Sequence, residues 1–213
     1  KIYDNPEELL SISLGSAETT LLNLTSAYSS FVNGGKLISP IIIDRIQDSE
    51  GNTIINNENR KCMNCDKISF TGKDYPQIKD NYEQVMSEQT AYQVTTILEG
   101  VIKRGTGKKL KDLQLNLAGK TGTTNENTDA WFIGFTSNLV IGVYVGMDNP
   151  KPLGKFETGS KAALPIFREF IEKSVKKSDA RPFKVPEKMI LMVVDPMTGE
   201  KAKFNSKNTI IEA

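Results

Sequence analysis

Four consecutive residues, Lys120, Thr121, Gly122 and Thr123, place a cation, two hydroxyls and a glycine at the end of a predicted strand. The hydroxyls can donate hydrogen bonds to a carboxylate, and the Lys120 ammonium supplies the compensating charge. Because Gly122 has no Cβ, a substrate backbone can lie close alongside it. The Thr123 N–H can donate to an oxyanion that develops on an attacked carbonyl. The four residues therefore predict a cradle for a carboxylate and a developing oxyanion.

Composition narrows the chemistry that such a cradle can serve. The chain has 213 residues, of which 38% are hydrophobic and 25% charged, as in an ordinary globular protein. Its net charge of +1 gives no indication of a nucleic-acid partner. The sequence has no His, which excludes Ser-His-Asp and Cys-His catalysis and His-based metal sites. Acid–base chemistry must therefore rest on Lys, Asp, Glu or Tyr.

The two cysteines, Cys62 and Cys65, form a C-x-x-C pair. Such a pair can be half of a zinc site, a redox pair or a small disulfide. The sequence supplies neither a second cysteine pair nor a His for zinc, and the polar residues around the pair indicate a loop rather than a thioredoxin-like strand-to-helix turn. A loop pair that oxidises outside the cytosol is the favoured interpretation, and no metal site is expected.

Apolar spacing predicts the elements that hold the site. It favours helices over residues 19–33, 88–103 and 161–176 and strands over about 114–123, 129–136 and 139–147. Ser137-Asn138, between the last two strands, is typical of a hairpin turn. The last strand is continuously apolar, which is typical of a strand covered on both faces. The pattern predicts an α+β fold in which helices flank both faces of an antiparallel sheet.

The segment between the first two helices carries weaker signals. Residues 37–46 are predicted to form a strand that Pro40 pushes to an edge or a bulge. A turn at 48–52 and a returning strand at 53–55 follow. Residues 56–82 are polar and lack periodicity, so they are predicted to be an insertion loop.

The end of the chain is predicted to be an extension of the main domain. The domain is expected to span residues 1–183, and the extension residues 184–213. Within the extension, the pattern indicates a strand at 189–194, a turn at 195–199 and a return at 202–204.

Motifs around the four residues decide how they are interpreted. K-T-G alone is weak evidence, because a surface turn favours the same residues and chance produces it in roughly one chain in twenty of this length. Further motifs occur in order along residues 9–172, among them Leu14-Gly15-Ser16, Asn33-Gly34-Gly35, Gly105-Thr106-Gly107, Asp129-Ala130-Trp131-Phe132 and Ala163-Leu164-Pro165-Ile166-Phe167. With Lys120–Thr123 they closely resemble the transpeptidase domain of class A, bifunctional penicillin-binding proteins, nearest to the 1A type. Residues 194–196 of the extension are also similar to that group.

The resemblance implies the serine β-lactamase/transpeptidase fold, of which this chain would supply the C-terminal portion. Family members are serine-type D-Ala-D-Ala transpeptidases that cross-link peptidoglycan in cell-wall synthesis, and β-lactams acylate their serine. The implied partners are peptidoglycan stem peptides and β-lactam antibiotics, with no nucleic acid, metal or cofactor. The implied location is the periplasmic face of the bacterial inner membrane, with a transmembrane anchor and a glycosyltransferase domain upstream.

The resemblance also implies a role for each of the four residues. Lys120 would assist proton transfer beside the serine of a separate S-x-N motif. Thr121 and Thr123 would hold the carboxylate of a substrate or β-lactam, and the Thr123 N–H would form half of the oxyanion hole. The expected catalytic residues are thus Lys120 and Thr123, and the expected substrate-binding residues are Thr121, Gly122 and Thr123.

The serine nucleophile is the point at which this sequence departs from the family pattern. In the family, S-x-x-K and S-x-N precede both K-T-G and the helix that follows Leu14-Gly15-Ser16, and this chain has neither there. The S-x-x-K string at 174–177 ends an amphipathic helix and is interpreted as solvated surface. The S-x-N string at 206–208 lies in the extension and matches by letters only, so neither string is taken as part of the site. We therefore expect the chain to need the N-terminal half of the transpeptidase domain as a partner, and to be inactive and unreactive toward penicillin when alone.

Two other functions stay open on the sequence alone. The same fold occurs in monofunctional penicillin-binding proteins and in β-lactamase-like sensors, which the sequence upstream of Lys1 would distinguish from the bifunctional class. A noncatalytic module would also keep Lys120–Thr123 to bind peptide termini, and an upstream sequence without S-x-x-K would favour it.

Overall fold

The structure, a computed structural model, describes residues 2, 3, 6, 8–58, 60–65, 72, 75–176, 181–203 and 209–213. These residues form the α-helices α1 (Leu21–Val32), α2 (Glu88–Lys103) and α3 (Ala163–Ser174), and short 3-10 helices at Leu10–Leu14, Lys108–Leu113 and Asn125–Asn127. They also form the strands β1 (Arg45–Gln47), β2 (Thr53–Asn56), β3 (Lys61–Met63), β4 (Gln77–Lys79), β5 (Ala118–Thr123), β6 (Ala130–Phe135), β7 (Val140–Val145), β8 (Met192–Val194) and β9 (Ile210–Glu212).

Strands β5, β6 and β7 form an antiparallel sheet in that order, so β5 lies at an edge. The register of β5 against β6 is continuous over all six residues of each strand, and it pairs Thr123 with Ala130. Ser137-Asn138 lies in the turn between β6 and β7, as predicted. That turn is closed by a hydrogen bond of 2.9 Å from the Thr136 N–H to the Leu139 carbonyl.

Helices cover both faces of this sheet. On one face, the Phe132 ring of β6 packs edge-on against the Phe167 ring of α3, with the ring centroids 4.7 Å apart. On the other face, Phe135 of β6 packs with Leu98 of α2 and with apolar residues of α1. Because successive strand residues point to opposite faces, one strand can contribute to both cores. The predicted α+β fold, with helices on both faces of an antiparallel sheet, is confirmed.

The first two long helices begin where a capping side chain is available. Thr20 caps α1 and Ser87 caps α2, each accepting a hydrogen bond from the N–H three residues later. Such a bond satisfies one of the N–H groups that the first helical turn leaves without a partner. The helices predicted at 19–33 and 88–103 are confirmed to within two residues at each end, and α3 is two residues shorter at each end than its prediction.

The strand predicted at 37–46 is wrong for most of its length, because β1 begins only at Arg45. Pro40 has no N–H to donate to a strand ladder, which disfavours regular pairing around it. The predicted turn and returning strand are confirmed. β2 pairs with β1, and the Asn52 N–H closes the turn by donating to Asp48 Oδ1 at 2.7 Å.

The strand predicted at 114–123 begins only at Ala118. The residues before it include the 3-10 helix Lys108–Leu113, which ends at Gln114 in the left-handed conformation, with φ 56°. That conformation lies outside the extended region, so the strand cannot include this residue. The end of β5 at Thr123 agrees with the prediction, and β6 and β7 lie within their predicted ranges.

The insertion predicted as a loop at 56–82 contains a second hairpin, in which β3 pairs with β4. Each of these strands has only three residues, too few for a periodic pattern to be read from the sequence. Cys62 and Cys65 form a disulfide at the end of β3. Residues 59, 66–71, 73 and 74 of the insertion lie outside the described residues.

The two hairpins belong to an arm, residues 37–83, whose ends meet at the body of the domain. The Leu37 N–H donates to the Glu83 carbonyl at 2.8 Å, and the Val85 N–H donates to the Gly35 carbonyl at 2.9 Å. The arm therefore leaves the body and returns to it through adjacent, hydrogen-bonded segments.

The C-terminal extension lies against α2. Arg104, which follows the last residue of α2, forms an ion pair with Glu212 of β9 at 2.9 Å. β8 pairs with β9, a pairing that the sequence did not predict. The predicted return is confirmed at Ala202, whose N–H donates to the Val193 carbonyl at 2.9 Å, whereas Phe204 lies outside the described residues. The boundary between domain and extension stays a prediction.

Arg168 of α3 anchors the 3-10 helix that precedes β5. Its guanidinium bonds to both carboxylate oxygens of Asp112, at 3.0 and 2.7 Å, and to the Lys109 carbonyl at 2.6 Å. The hydrogen bond from Arg168 holds the pKa of Asp112 below its ordinary value.

We predict that Asp112→Asn lowers the thermal unfolding midpoint near neutral pH and that the difference from wild type disappears in acid. A carboxyl whose pKa is lower in the folded state stabilises the fold at pH values above its unfolded pKa. That stabilisation is lost as the pH falls through the folded pKa. Thermal unfolding across the acid range measures the effect, with Asp44→Asn, at an exposed carboxylate, as the control. A difference that is the same at every pH would contradict the ion pair.

Candidate active site

Lys120–Thr123 end strand β5 at an edge of the sheet, and the backbone hydrogen bonds determine which of their N–H and C=O groups point away from β6. The Thr124 N–H donates to the Asp129 carbonyl at 3.2 Å. Residue pairs in an antiparallel ladder alternate between hydrogen-bonded and non-hydrogen-bonded. The next pair, which contains Thr123, is therefore non-hydrogen-bonded, and its N–H and C=O point away from β6. By the same alternation, the N–H and C=O of Thr121 also face the free edge.

Lys120 reaches this free edge from the other side of the strand. Strand alternation places its side chain on the sheet face opposite to the side chains of Thr121 and Thr123. Its Nζ nevertheless donates to the Thr121 carbonyl at 2.9 Å, and that carbonyl points away from β6. The ammonium thus lies at the same edge as the outward N–H of Thr123.

The hydroxyls of Thr121 and Thr123 lie on one face of the sheet, and each has a partner from another part of the chain. Thr123 Oγ1 accepts a hydrogen bond from the Gly159 N–H at 3.1 Å. Thr121 Oγ1 lies 3.0 Å from Thr106 Oγ1. The two threonines are two positions apart in a strand, so their Cα atoms are separated by about 7 Å. Two hydroxyls at this spacing can bind one anion together.

Strand β5 runs from the core to the surface. Its first two residues are buried, Thr121 and Gly122 are half-buried, and Lys120 and Thr123 are exposed. The four residues are therefore accessible to a ligand at the sheet edge.

Gly159 approaches the sheet closely because it has no side chain. A Cβ at this position would meet the carbonyl oxygens of Gly122 and Trp131, which belong to paired strands and cannot move aside easily. The Gly159 carbonyl accepts from the Leu164 N–H in the first turn of α3, at 2.9 Å. The start of α3 thus fixes the N–H that bonds to Thr123.

The turn after β5 is held by side chains of β6, β7 and the turn itself. Thr124 Oγ1 accepts from the Asp129 N–H at 2.8 Å, and the Tyr144 hydroxyl donates to Asp129 Oδ1 at 2.9 Å. This hydrogen bond raises the pKa of Tyr144, so the phenol keeps the proton that it donates. The Tyr144 ring packs against the Trp131 ring with centroids 4.7 Å apart. These contacts hold the end of β5 in place.

Thr106 and Gly159 are the residues of this site that the sequence alone did not reveal. Thr106 lies in Gly105-Thr106-Gly107, a motif that contributed to the family resemblance without suggesting a contact. The bond between Gly159 and Thr123 joins positions 36 apart, and no local pattern indicates such a pair.

The serine strings that were rejected from the sequence give no alternative site. Ser174 is exposed at the last residue of α3, and within the described residues no hydrogen bond joins it to Lys120. Lys177 and residues 206–208 lie outside the described residues.

A family model described as "Penicillin binding protein transpeptidase domain" matches residues 3–172. The match covers most of the chain, and the chain therefore belongs to the penicillin-binding protein transpeptidase domain family.

Curated relatives bear out the resemblance to the 1A type. A protein of Rickettsia felis named Penicillin-binding protein 1A is 41% identical over 215 residues, which cover all of this chain and 27% of that protein. A protein of the same name from Rickettsia prowazekii is 42% identical over 215 residues, which also cover all of this chain and 27% of that protein. The crystal structure of Penicillin-Binding Protein 1A from Haemophilus influenzae matches with a TM-score of 0.76 at 29% identity, over 95% of this chain and 33% of that one. The chain thus spans about a quarter of the length of the curated relatives it matches.

We predict that Gly159→Ala destabilises the protein by about 1–3 kcal/mol, because the added Cβ pushes this segment off the backbone of the sheet. Denaturant-induced unfolding measures the change. Gly100→Ala is the matched control, since a Cβ there meets the flexible end of the Arg104 side chain at 3.1 Å and Ala is favoured over Gly in a helix. A Gly159→Ala protein as stable as wild type would contradict the close approach.

Proposed function

We propose that this chain carries the carboxylate- and oxyanion-binding part of a serine-type D-Ala-D-Ala transpeptidase. The complete enzyme cross-links peptidoglycan stem peptides in cell-wall synthesis, and β-lactam antibiotics acylate its serine. The observation that supports this most is the free edge of β5, where an ammonium, two hydroxyls and an outward N–H lie together. Membership of the transpeptidase family supports the reaction class.

The free edge of β5 suits an extended peptide that ends in a carboxylate. The outward backbone groups of Thr121 and Thr123 offer a strand ladder to such a peptide. The Thr121 and Thr123 hydroxyls donate to the terminal carboxylate, and Lys120 balances its charge. Because Gly122 has no Cβ, the peptide can approach the strand closely.

The acyl-transfer step uses the Thr123 N–H. When a serine Oγ attacks the carbonyl of the penultimate residue, this N–H donates to the oxyanion of the tetrahedral intermediate, and the bond to the terminal amine then breaks. Loss of one such donor typically costs about 2.7–4 kcal/mol of transition-state stabilisation. Lys120 assists transfer of the serine proton toward the leaving amine, together with the serine of the S-x-N motif.

The proposal places the attacking serine on the N-terminal half of the transpeptidase domain, which acts as a partner of the segment described above. It also places the complete protein at the periplasmic face of the bacterial inner membrane, with a glycosyltransferase domain and a membrane anchor upstream. Among the described residues, no helix combines the length and the apolar character needed to cross a bilayer.

Gel labelling with a fluorescent penicillin tests this function. The complete protein is expected to give a labelled band. The 213-residue chain alone is expected to give none, because the nucleophile lies on the other half of the domain.

Lys120→Ala in the complete protein is expected to lower the labelling rate about 10²–10⁴-fold, the usual contribution of a general acid or base. Lys173→Ala removes an exposed lysine that pairs with Glu169 on α3, and it is expected to leave the rate unchanged.

Each contrary outcome has a distinct meaning. A labelled band from the chain alone would show that it carries its own nucleophile. A Lys120→Ala protein that labels as fast as wild type would remove Lys120 from the chemistry. A complete protein that binds peptides but never labels would favour the noncatalytic peptide-binding module.

A further inference from the structure

The hydroxyls at the β5 edge can bind a carboxylate only if each has a proton to donate to it. A threonine hydroxyl has one O–H donor and two acceptor lone pairs. At Thr123 the partner is the Gly159 N–H, which can only donate. Within the described part of the chain, the Thr123 O–H has no acceptor of its own. The Thr123 proton is therefore left for a ligand.

The situation at Thr121 is different, because its partner is a second hydroxyl. Thr121 Oγ1 and Thr106 Oγ1 are 3.0 Å apart, and either can be the donor. If Thr121 donates to Thr106, it has no proton left for a carboxylate. If Thr106 donates, Thr121 accepts and its own proton is free, as at Thr123. An ionised carboxylate can only accept hydrogen bonds, so its arrival selects the second arrangement.

The backbone on both sides of Thr106 is fixed. The N–H groups of Gly105 and Gly107 both donate to the Val101 carbonyl near the end of α2, at 3.1 and 3.0 Å. A Cβ at Gly105 would meet the Val101 backbone at 2.9 Å, and one at Gly107 would meet the Ile102 side chain at 2.7 Å. The contact at Gly105 is with backbone and the contact at Gly107 is with a buried side chain, so a glycine on each side lets the loop hold the Thr106 hydroxyl beside β5.

We propose that Thr106 is a positioning residue of the carboxylate subsite and makes this subsite selective for a charged carboxylate over a neutral ester. Its hydroxyl donates to Thr121, which turns the Thr121 proton toward the ligand. Two O–H donors then face one group, and they bind an ionised carboxylate more strongly than a neutral ester. This inference rests on the proposed function, because it requires a ligand carboxylate at the β5 edge.

The test compares a penicillin that has its free carboxylate with the methyl ester of the same penicillin, as acylating agents of the complete protein. Thr106→Val keeps the size of the side chain and removes the hydroxyl. We expect acylation by the acid to fall about 2- to 10-fold in this variant, the cost of one hydrogen bond between neutral groups, because the bond by which Thr106 orients the Thr121 proton is lost. Acylation by the ester is expected to stay near the wild-type rate. Thr106→Ser, which keeps the hydroxyl, is expected to retain the wild-type acid-to-ester ratio.

Thr96→Val is the control, because the Thr96 hydroxyl bonds within α2 to the Gln93 carbonyl at 2.8 Å. If circular dichroism shows Thr106→Val to be unfolded, Thr106→Ala is tested in its place. The acid-to-ester ratio of that variant then decides whether Thr106 has the proposed role. A folded variant without the hydroxyl that keeps the wild-type acid-to-ester ratio would overturn the role of Thr106 and leave the proposed function intact. A wild-type protein that neither compound acylates would overturn the proposed function itself.

Discussion

A strand at the edge of an antiparallel sheet pairs only half of its backbone groups, and in β5 the other half includes the N–H and C=O of Thr121 and Thr123. Which backbone groups face outward depends on which residue pairs of the ladder are hydrogen-bonded. A slip of one residue would turn the groups of Lys120 and Gly122 outward instead and move both threonine hydroxyls to the opposite face. The register between β5 and β6 is thus the constraint on which the proposed carboxylate site and the proposed oxyanion donor both depend.

Packing of β6 in the two cores stabilises this register. Phe132 and Phe135 of β6 point to opposite faces and enter different cores, so a one-residue slip of β6 would move each ring to the opposite face and out of the core that it fills. Gly134 adds a second restraint, because a Cβ there would meet the ring of Phe167 at 2.5 Å. α3, which carries that ring, also begins next to Gly159. One helix therefore holds both the phase of the sheet and the N–H that bonds to the exposed end of β5.

The features that the sequence predicted are those that depend on residues close together in the chain. Thr20 and Ser87 mark helix starts because their side chains bond to N–H groups three residues away. The late start of β5 depends on the left-handed backbone at Gln114, and Gln shows no strong preference that would reveal it. The partners of the two site hydroxyls, Thr106 and Gly159, lie 15 and 36 positions away from them, so only the folded chain brings them together. The lysine, the glycine and the threonines of the edge were recognisable because they are consecutive.

The arm of residues 37–83 has a consequence for how chains of this kind diverge. It leaves and re-enters the domain through neighbouring segments near Gly35 and Val85, and the hydrogen bonds between these segments set the distance between those two points. The entropic cost of closing a loop rises only slowly with its length. Descendant sequences can therefore lengthen, shorten or rebuild this arm while the edge of β5 stays the same, and new surfaces can evolve there at little cost to the fold.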